Sequence, residues 1–418
     1  MQAPVPTVSL FFRLTLPLSW VNVVNQASRA LMATIGPVLA LEFGLSATEL
    51  GLLSATFFAS YAMAQLPAGL GMDLFGVRRV QMALVLVAGI GFALSALSSS
   101  ILGLALGRFV TGFGVSVGMI AMLTAHTQWL PRHKVAGMTG LGVFVASFGG
   151  MAATLPAQQL LPFTGWRGLF WILAAISVLV SVWIGVSVPE RPAPMAPKRG
   201  LMAEIVEYGR IVRHPIFVRC APSIMLLSGL NFTYGSLWAG PWLRDVGHFE
   251  GTPRAWLLMC FAVGMTSGSL LTGQAASWFT RRGHDPMLIP GIGMAGLWIA
   301  QCLLILLPWH GAAAIGTLWC VFAFVSSSGP SAYAALAQRF PAEIAGRVGT
   351  LMNFSMLLLV FVLQNAIGWV LDLWPRTASG GWSAPAYGWA MGLSVVAQAL
   401  CASWMLWPRG DKGAQSSR

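Results

Sequence analysis

The chain has 418 residues, of which 56% are apolar and 9% are charged. A soluble domain averages about 25% charged residues, so the composition excludes an ordinary soluble protein and indicates an integral membrane protein. The net charge of +12 would suggest nucleic-acid binding in a soluble chain, but basic cytoplasmic loops explain it in a membrane protein. We therefore expect no nucleic-acid partner. The long apolar segments also exclude a transmembrane barrel, whose strands alternate apolar and polar residues.

Twelve apolar segments are each long enough to cross a bilayer as a helix. They cover residues 18–41, 49–70, 81–99, 101–123, 136–158, 168–188, 217–240, 255–277, 287–307, 313–335, 348–371 and 386–407. One long polar break separates six segments from six, and an amphipathic helix is expected within it at 201–212. The pattern predicts an all-α membrane protein with an N-terminal half (1–188), a linker (189–215), a C-terminal half (216–409) and a tail (410–418).

Lysine and arginine residues set the orientation. With both termini in the cytoplasm, most of the 24 basic residues fall in cytoplasmic segments and only four in outer loops. Such an asymmetry follows the positive-inside rule and predicts that the linker and the tail are cytoplasmic. The five cysteines all lie in apolar segments, and no pair has the spacing of a metal or redox site. No metal or cofactor is expected.

Arg29 is the most informative residue of the first segment, because it lies near the middle. A helix rises ~1.5 Å per residue, so Arg29 lies roughly 15 Å from either end of the segment. An arginine at that depth costs at least ~2.5–3.5 kcal/mol, so it is expected to have a partner or to line a water-filled path. None of the twelve acidic residues lies deep in a predicted span. An anionic substrate is the simplest partner; the alternative is a structural role.

The loop between the second and third spans carries a recognisable motif. It reads GLGMDLFGVRR and resembles the G-x-x-x-D-R-x-G-R-R signature of the major facilitator superfamily, with Leu74 in place of the signature's first arginine. The matching residues are Gly69, Asp73, Gly76, Arg78 and Arg79. The resemblance implies two six-helix halves, alternating access, and a loop that holds one conformation and releases it during transport. A simple helix-capping turn is the alternative.

The fourth span supports this resemblance. Its sequence GRFVTGFGVSVG is similar to an R-x-x-x-G-x-G element of the superfamily through Arg108, Gly112 and Gly114. Glycines at this spacing let two helices approach closely. Spans one, four, seven and ten of the superfamily line the central cavity, so the resemblance implies that Arg29 and Arg108 face one cleft. Alternatively, Arg108 bonds backbone carbonyls within its own half.

The start of the chain resembles the organic anion:cation symporter branch. That branch has an acid before the arginine of span one and another seven positions after the arginine of span four. This chain has Ser28 and Val115 there. Both arginines are kept and both acids are absent, so proton symport, exchange and facilitated movement carry equal weight. His126, near the cytoplasmic end of span four, is interpreted as a structural residue rather than a proton carrier.

Other polar and aromatic residues are candidates for lining the cavity. They share a position within predicted spans, and they are Asn25, Tyr61, Asn231, Tyr234, Trp238, Tyr333 and Asn353. For each of these residues, a purely structural role is the alternative to contact with the substrate. Buried amides and hydroxyls often join helices, and Trp238 is also typical of an interfacial aromatic belt.

We therefore predict a monomeric carrier of a small, carboxylate-like organic anion in a bacterial inner membrane, with a proton or a counter-anion as the possible coupling partner. The resemblance to the branch favours uptake. The chain has no phosphate-binding loop, zinc-protease motif or nucleophile elbow, so an enzyme is not expected. Two alternatives stay open. One is an exporter of drugs or amphipathic compounds, and the other is a transporter-like ligand sensor.

Overall fold

The computed structural model describes residues 10–189, 201–285, 287–306 and 311–406, and among these it contains helices, turns and loops but no strand. A π-helical turn at Phe11–Thr15 leads into the first long helix. The long helices are α1 (Leu16–Phe43), α2 (Ala47–Phe75), α3 (Val77–Leu97), α4 (Ile101–Val115, continued as Gly118–Trp129), α5 (Arg132–Ala152), α6 (Leu155–Ser187), α7 (Leu201–Arg213), α8 (Pro215–Thr233, continued through a π-helical turn at Tyr234–Trp238 into Ala239–Asp245), α9 (Gly251–Arg281), α10 (Leu288–Leu306), α11 (Ala312–Ser326, continued as Gly329–Ala337), α12 (Ala342–Leu371) and α13 (Ala384–Leu406).

The predicted all-helical membrane fold is confirmed. In the described part of the chain, nine helices are long and apolar enough to cross a membrane. These are α3, α4, α6 and α8 to α13. The helices α1, α2 and α5 coincide with three further predicted spans, and α7 is the expected amphipathic helix in the linker. Residues 190–200 of the predicted linker and the predicted tail at 410–418 lie outside the described residues.

The boundary between the fifth and sixth spans differs from the prediction. The fifth span was expected to run to residue 158, but α5 ends at Ala152 and α6 begins at Leu155. The sixth span was expected to begin at residue 168, but α6 starts earlier and is kinked at Gly165, where φ is 63° and ψ is 176°. Glycine adopts a positive φ at little steric cost, so the chain turns within one apolar run. Hydropathy alone does not mark such a turn.

The helices alternate in direction, so the molecule has two ends. We call the end that carries Ser187 and Leu201 the linker end, and the opposite end the far end. The two halves meet chiefly where α2 packs on α12 and where α1 packs on α8. One large apolar core, which includes Leu31, Phe57 and Trp238, is shared by both halves. At the linker end each half has a core of its own, one including Leu14 and one including Phe340.

Glycines let the two halves approach closely toward the far end. A Cβ added at Gly240 of α8 would lie 1.8 Å from the carbonyl oxygen of Ala33 in α1. A Cβ added at Gly368 of α12 would lie 2.5 Å from the carbonyl oxygen of Ala47 in α2. Both distances are shorter than any van der Waals contact. The close contact of the halves at the far end therefore requires glycine, which has no side chain, at positions 240 and 368.

Polar contacts also join the halves at the far end. The carboxylate of Asp372, just after α12, accepts hydrogen bonds from the backbone N–H groups of Ala47 (2.9 Å) and Thr48 (2.8 Å) at the start of α2. Arg254 of α9 donates to the carbonyl oxygen of Thr34 at 3.1 Å. At the linker end, in contrast, each half keeps a separate core.

Candidate functional site

A cavity of about 250 Å³ lies between the two halves. Helices α1, α2, α4 and α5 line it from the N-terminal half, and α8, α9, α11 and α12 line it from the C-terminal half. Six of the residues predicted to bind substrate are part of its lining: Asn25, Arg29, Tyr61, Asn231, Tyr333 and Asn353. Side chains that are far apart in the sequence therefore meet in one chamber.

Arg29 occupies the centre of this site. Its guanidinium donates to Oε1 of Gln26, one turn earlier in α1. It also stacks on the ring of Phe232 in α8, with Cζ 4.6 Å from the ring centroid. A cation over an aromatic face is attracted by about 0.5–2 kcal/mol, depending on how far it is desolvated. Arg29 thus reaches from the N-terminal half to the C-terminal half.

The Nε atom of Arg29 is buried and has no hydrogen-bond partner. Of the cavity-lining residues that the structure describes, Arg29 is the one with a charged side chain, and none is an aspartate or a glutamate. A positive charge in such surroundings attracts an anion strongly, because the local dielectric constant is low. A carboxylate would also supply the acceptor that Nε lacks.

Arg29 also borders a second, smaller cavity. This space has a volume of about 40 Å³ and lies beyond Arg29 toward the far end. It is lined mainly by apolar residues, including Phe261 and Met265 of α9, and it shares Asn231 and Phe232 with the larger cavity. Arg29 therefore stands between a wider chamber on the linker side and a narrow apolar pocket on the far side.

Two amides line the site from opposite halves. Nδ2 of Asn25 donates to the hydroxyl of Tyr61 at 3.4 Å. Nδ2 of Asn231 in α8 lies within hydrogen-bond distance of three oxygens of α11, the carbonyl oxygen of Ala323 (3.1 Å) and the hydroxyls of Ser326 (2.6 Å) and Ser327 (3.1 Å), to which it directs its two hydrogens. The Oδ1 atoms of both asparagines are buried and receive no hydrogen bond.

Arg108 lies elsewhere. Its side chain is fully buried within the N-terminal half and donates to the backbone carbonyl (2.8 Å) and the hydroxyl (3.2 Å) of Ser28. Its guanidinium carbon lies 4.7 Å from the centroid of the Phe57 ring. Arg108 is not among the described residues that line either cavity at Arg29. This arrangement is the one expected if Arg108 bonds groups of its own half.

Tyr234 and Trp238 also lie away from the cavity. The ring of Tyr234 packs against Trp319 and Phe322, with centroid distances of 5.6 and 5.4 Å. The Trp238 side chain is fully buried in the core shared by the halves, 6.4 Å from Trp382. In this conformation both rings contribute to packing in the C-terminal half and at its junction with the N-terminal half.

The residues of the predicted conformational switch are placed at the linker end and in α4. Asp73 is exposed near the end of α2, and Gly76 joins α2 to α3 with a φ of 82°. Arg78 donates to the backbone carbonyl of Gly185 in α6, within the same half.

The three other switch residues differ in their surroundings. Gly69 of α2 has open space where a side chain would project, and Arg79 is exposed. Gly112 is a close-approach position, because an added Cβ would lie 2.3 Å from the carbonyl oxygen of Phe57. The helices α2 and α4 therefore touch there.

His126 is buried two helical turns from the cavity residue Met119. Its Nε2 lies 2.9 Å from the hydroxyl of Thr15, and its Nδ1 lies 2.8 Å from the hydroxyl of Thr139. Both ring nitrogens thus have a partner, and the ring joins the π-helical turn before α1 to α4 and α5.

The sequence analysis did not propose several lining residues. Phe232, Asn22, Ser147 and Ser327 all face the larger cavity. Asparagines and serines in a membrane helix are a weak signal, because each is equally compatible with a helix–helix contact. Phe232 follows the proposed residue Asn231 in the sequence, but an aromatic residue in an apolar span does not by itself indicate that it lines a cavity. Within the described residues, no group of histidines, cysteines and acids could hold a metal ion.

The sequence is similar to those of curated transporters. The curated relatives include a probable sulfoacetate transporter of Cupriavidus necator, 28% identical over 155 residues, which cover 37% of this chain and 36% of the relative. They also include a cis,cis-muconate transport protein of Acinetobacter baylyi, 34% identical over 160 residues, which cover 36% and 37%. The chain thus matches little more than a third of the length of each of these relatives.

Solved structures share the fold over nearly the whole chain. A bacterial homologue of the human lysosomal transporter Spinster, in an inward-facing and unoccupied conformation, gives a TM-score of 0.75 at 19% identity and covers 94% of this chain and 95% of the other. A D-xylose-proton symporter gives a TM-score of 0.71 at 16% identity, covering 94% and 97%. The family model described as the Major Facilitator Superfamily matches residues 18–364. The chain is therefore a multi-pass membrane transporter, not an enzyme, and it belongs to the major facilitator superfamily.

Proposed function

We propose that this transporter carries a small organic anion by alternating access and binds the carboxylate of that anion to Arg29. One observation carries the proposal. Arg29 lies between two cavities that both halves line, it has an unpartnered Nε, and no carboxylate is among the lining residues that the structure describes. A chain that keeps an uncompensated cation at membrane depth gains most from an anionic ligand.

The position of Arg29 suits a carrier. Substrate sites of secondary transporters lie near the midplane, at the interface of the two halves. Arg29 belongs to α1 of the N-terminal half and already contacts Phe232 of the C-terminal half. A bound anion would therefore interact with both halves and would favour their closure around it. The described conformation offers this site to the linker end.

The relatives support an anionic cargo. The names of two of them refer to sulfoacetate and to cis,cis-muconate, and a third is a 4-hydroxybenzoate transporter of Pseudomonas putida. We extend the proposal to the setting of the protein, which is a bacterial inner membrane with the linker end and both termini in the cytoplasm. The proposal holds for proton symport, exchange and facilitated movement alike.

A thermal-shift screen of the purified protein tests the proposal. The ligands are monocarboxylates, hydroxy acids, dicarboxylates, sulfonates, aromatic acids and lipophilic cations, applied to the wild type and to Arg29→Gln. The matched control is Arg167→Gln, which changes a half-exposed arginine of α6 that pairs with Glu42 away from the cavity. A ligand at 100 times its Kd stabilises the folded state by about 2.7 kcal/mol.

We expect at least one class of anion to raise the Tm of the wild type and of the control, and to leave Arg29→Gln unchanged. Counterflow of the same anion into liposomes should be lost together with the stabilisation. If only lipophilic cations stabilise the protein, and do so equally in all three variants, the anion proposal is wrong and an exporter of amphipathic cations takes its place.

A further inference from the structure

Two residues that line the cavity carry a hydrogen-bond acceptor that no protein group satisfies. Oδ1 of Asn25 and Oδ1 of Asn231 are both buried and unpartnered. The orientation of the Asn231 amide is defined by its surroundings, because Nδ2 lies 3.1 Å from the carbonyl oxygen of Ala323. A carbonyl oxygen only accepts hydrogen bonds, so the atom facing it must be the nitrogen. The amide oxygen is therefore the atom left without a partner.

An unpaired buried acceptor is costly, so a ligand that donates a hydrogen bond to it gains affinity. Carboxylates and sulfonates at neutral pH have oxygens that accept but no hydrogen to donate. If the ligand carried a second carboxylate and placed it next to Asn231, the carboxylate oxygens and Oδ1 of Asn231 would both be acceptors, with no hydrogen to share between them. A hydroxyl group can donate to the amide oxygen and at the same time accept from a neighbouring hydroxyl, such as that of Tyr333 on the same cavity.

An amino group could also donate, but its charge argues against it. A protonated amine would lie close to Arg29, and the described lining residues include no carboxylate to offset two cations. Like charges in a low-dielectric chamber repel each other strongly. A neutral donor is therefore favoured over an ammonium group.

We propose that the cargo is a hydroxylated carboxylate whose acid group binds Arg29 and whose hydroxyl donates to Oδ1 of Asn231. This inference rests on the proposed function and narrows its substrate class. The two anchors are near each other. Asn231 precedes Phe232, on whose ring the Arg29 guanidinium stacks at 4.6 Å, and all three residues line both cavities.

The two anchors belong to different halves. Arg29 is part of α1, whereas Asn231 is part of α8 and is held by Ser326 and Ser327 of α11. A hydroxy acid would connect the halves through its own two ends. An acid without the hydroxyl would still bind Arg29 but would leave the acceptor of Asn231 in the C-terminal half unpaired. The hydroxyl therefore determines both selectivity and the coupling of binding to closure.

The test uses acids that differ only in hydroxylation. The pairs are propionate with lactate or glycerate, and hexanoate with gluconate; malonate and adipate represent the dicarboxylates. Dissociation constants are measured on the wild-type carrier, on Asn231→Leu, and on the matched control Asn365→Leu. The Asn365 side chain, on α12, donates to the carbonyl oxygen of Phe361 at 2.7 Å and is not among the described lining residues.

We expect the wild type and the control to bind at least one hydroxy acid about tenfold or more tightly than its deoxy partner, since a site built to bond a hydroxyl rejects analogues that lack it. In Asn231→Leu the preference should fall close to one, while binding still depends on Arg29. Equal affinity for both members of every pair in the wild type would overturn the inference, even if Asn231→Leu fails to fold. In that case Arg29-dependent anion binding would leave the proposed function standing, whereas an absence of anion binding would remove both.

Discussion

The two ends of the molecule are built differently. At the far end the halves share one apolar core, approach through glycines and exchange hydrogen bonds with backbone groups. At the linker end each half packs on a core of its own. Alternating access, as proposed above, closes one end while the other opens, so it requires the far-end contacts to break in each cycle.

The difference shows which contacts are suited to be broken. Beside the shared apolar core, the far end is held by hydrogen bonds to backbone carbonyl and N–H groups, and these groups can bond water when the end opens. The cores of the linker end hold each half together throughout. The junction at the far end thus combines an apolar core with close backbone approach, whereas the linker-end cores each lie within one half.

The largest expected effect comes from filling the closest approach. In Gly240→Ala the new methyl group would lie 1.8 Å from the carbonyl oxygen of Ala33. Overpacking of this kind costs about 1–3 kcal/mol in the closed state alone, so we expect a population shift of roughly fivefold to 150-fold toward the open far end. Spin labels at Leu102 and Ala384, which are exposed at the far end of opposite halves, would report the separation.

The control for this change is Gly392→Ala in α13, where an added Cβ has no neighbour within 4 Å. The label distances of this variant should match those of the wild type. An unchanged distance distribution in Gly240→Ala would mean that the backbone at Ala33 shifts to accommodate the methyl group at little cost in free energy. The contact would then not stabilise the closed far end.

A smaller effect is expected from Asp372→Asn. The carboxylate accepts from Ala47 and Thr48, the first backbone N–H groups of α2, where the helix dipole favours negative charge. Loss of the charge weakens these bonds by about 1 kcal/mol, which corresponds to roughly fivefold in population. The same far-end labels measure it. Asp285→Asn is the control, because Asp285 bonds Arg339 and Met287 within one half at the linker end.

Much of this architecture could be predicted from the sequence. Apolar length places the helices, and a polar break locates the linker, because the bilayer imposes both constraints on each segment by itself. The junction near residue 153 could not be placed, since a turn inside a continuous apolar run leaves hydropathy unchanged. The contact of Asp372 with α2 was also not predictable, because it joins residues more than 300 positions apart.

The two intramembrane arginines show how far the candidate site could be predicted from the sequence. Arg29 and Arg108 give the same signal in the sequence, a charge within an apolar span. One lines the cavity and the other is enclosed by Ser28 and Phe57 of its own half. The difference depends on the rotation of each helix about its axis, and packing against the neighbouring helices determines that rotation.

The smallest expected effect is that of pH on the far end. Burial raises the pKa of Asp372, but the hydrogen bonds from Thr48 and Ala47 outweigh it, so the pKa lies below its ordinary value of 3.8. A carboxyl with a lowered pKa in the closed state favours that state at pH values above 3.8. The contribution is lost only as the pH falls through the lowered pKa. The label distances should therefore stay constant between pH 8 and pH 5. Opening of the far end with a midpoint in that interval, abolished by Asp372→Asn, would contradict the assignment and would make Asp372 a proton-linked gate.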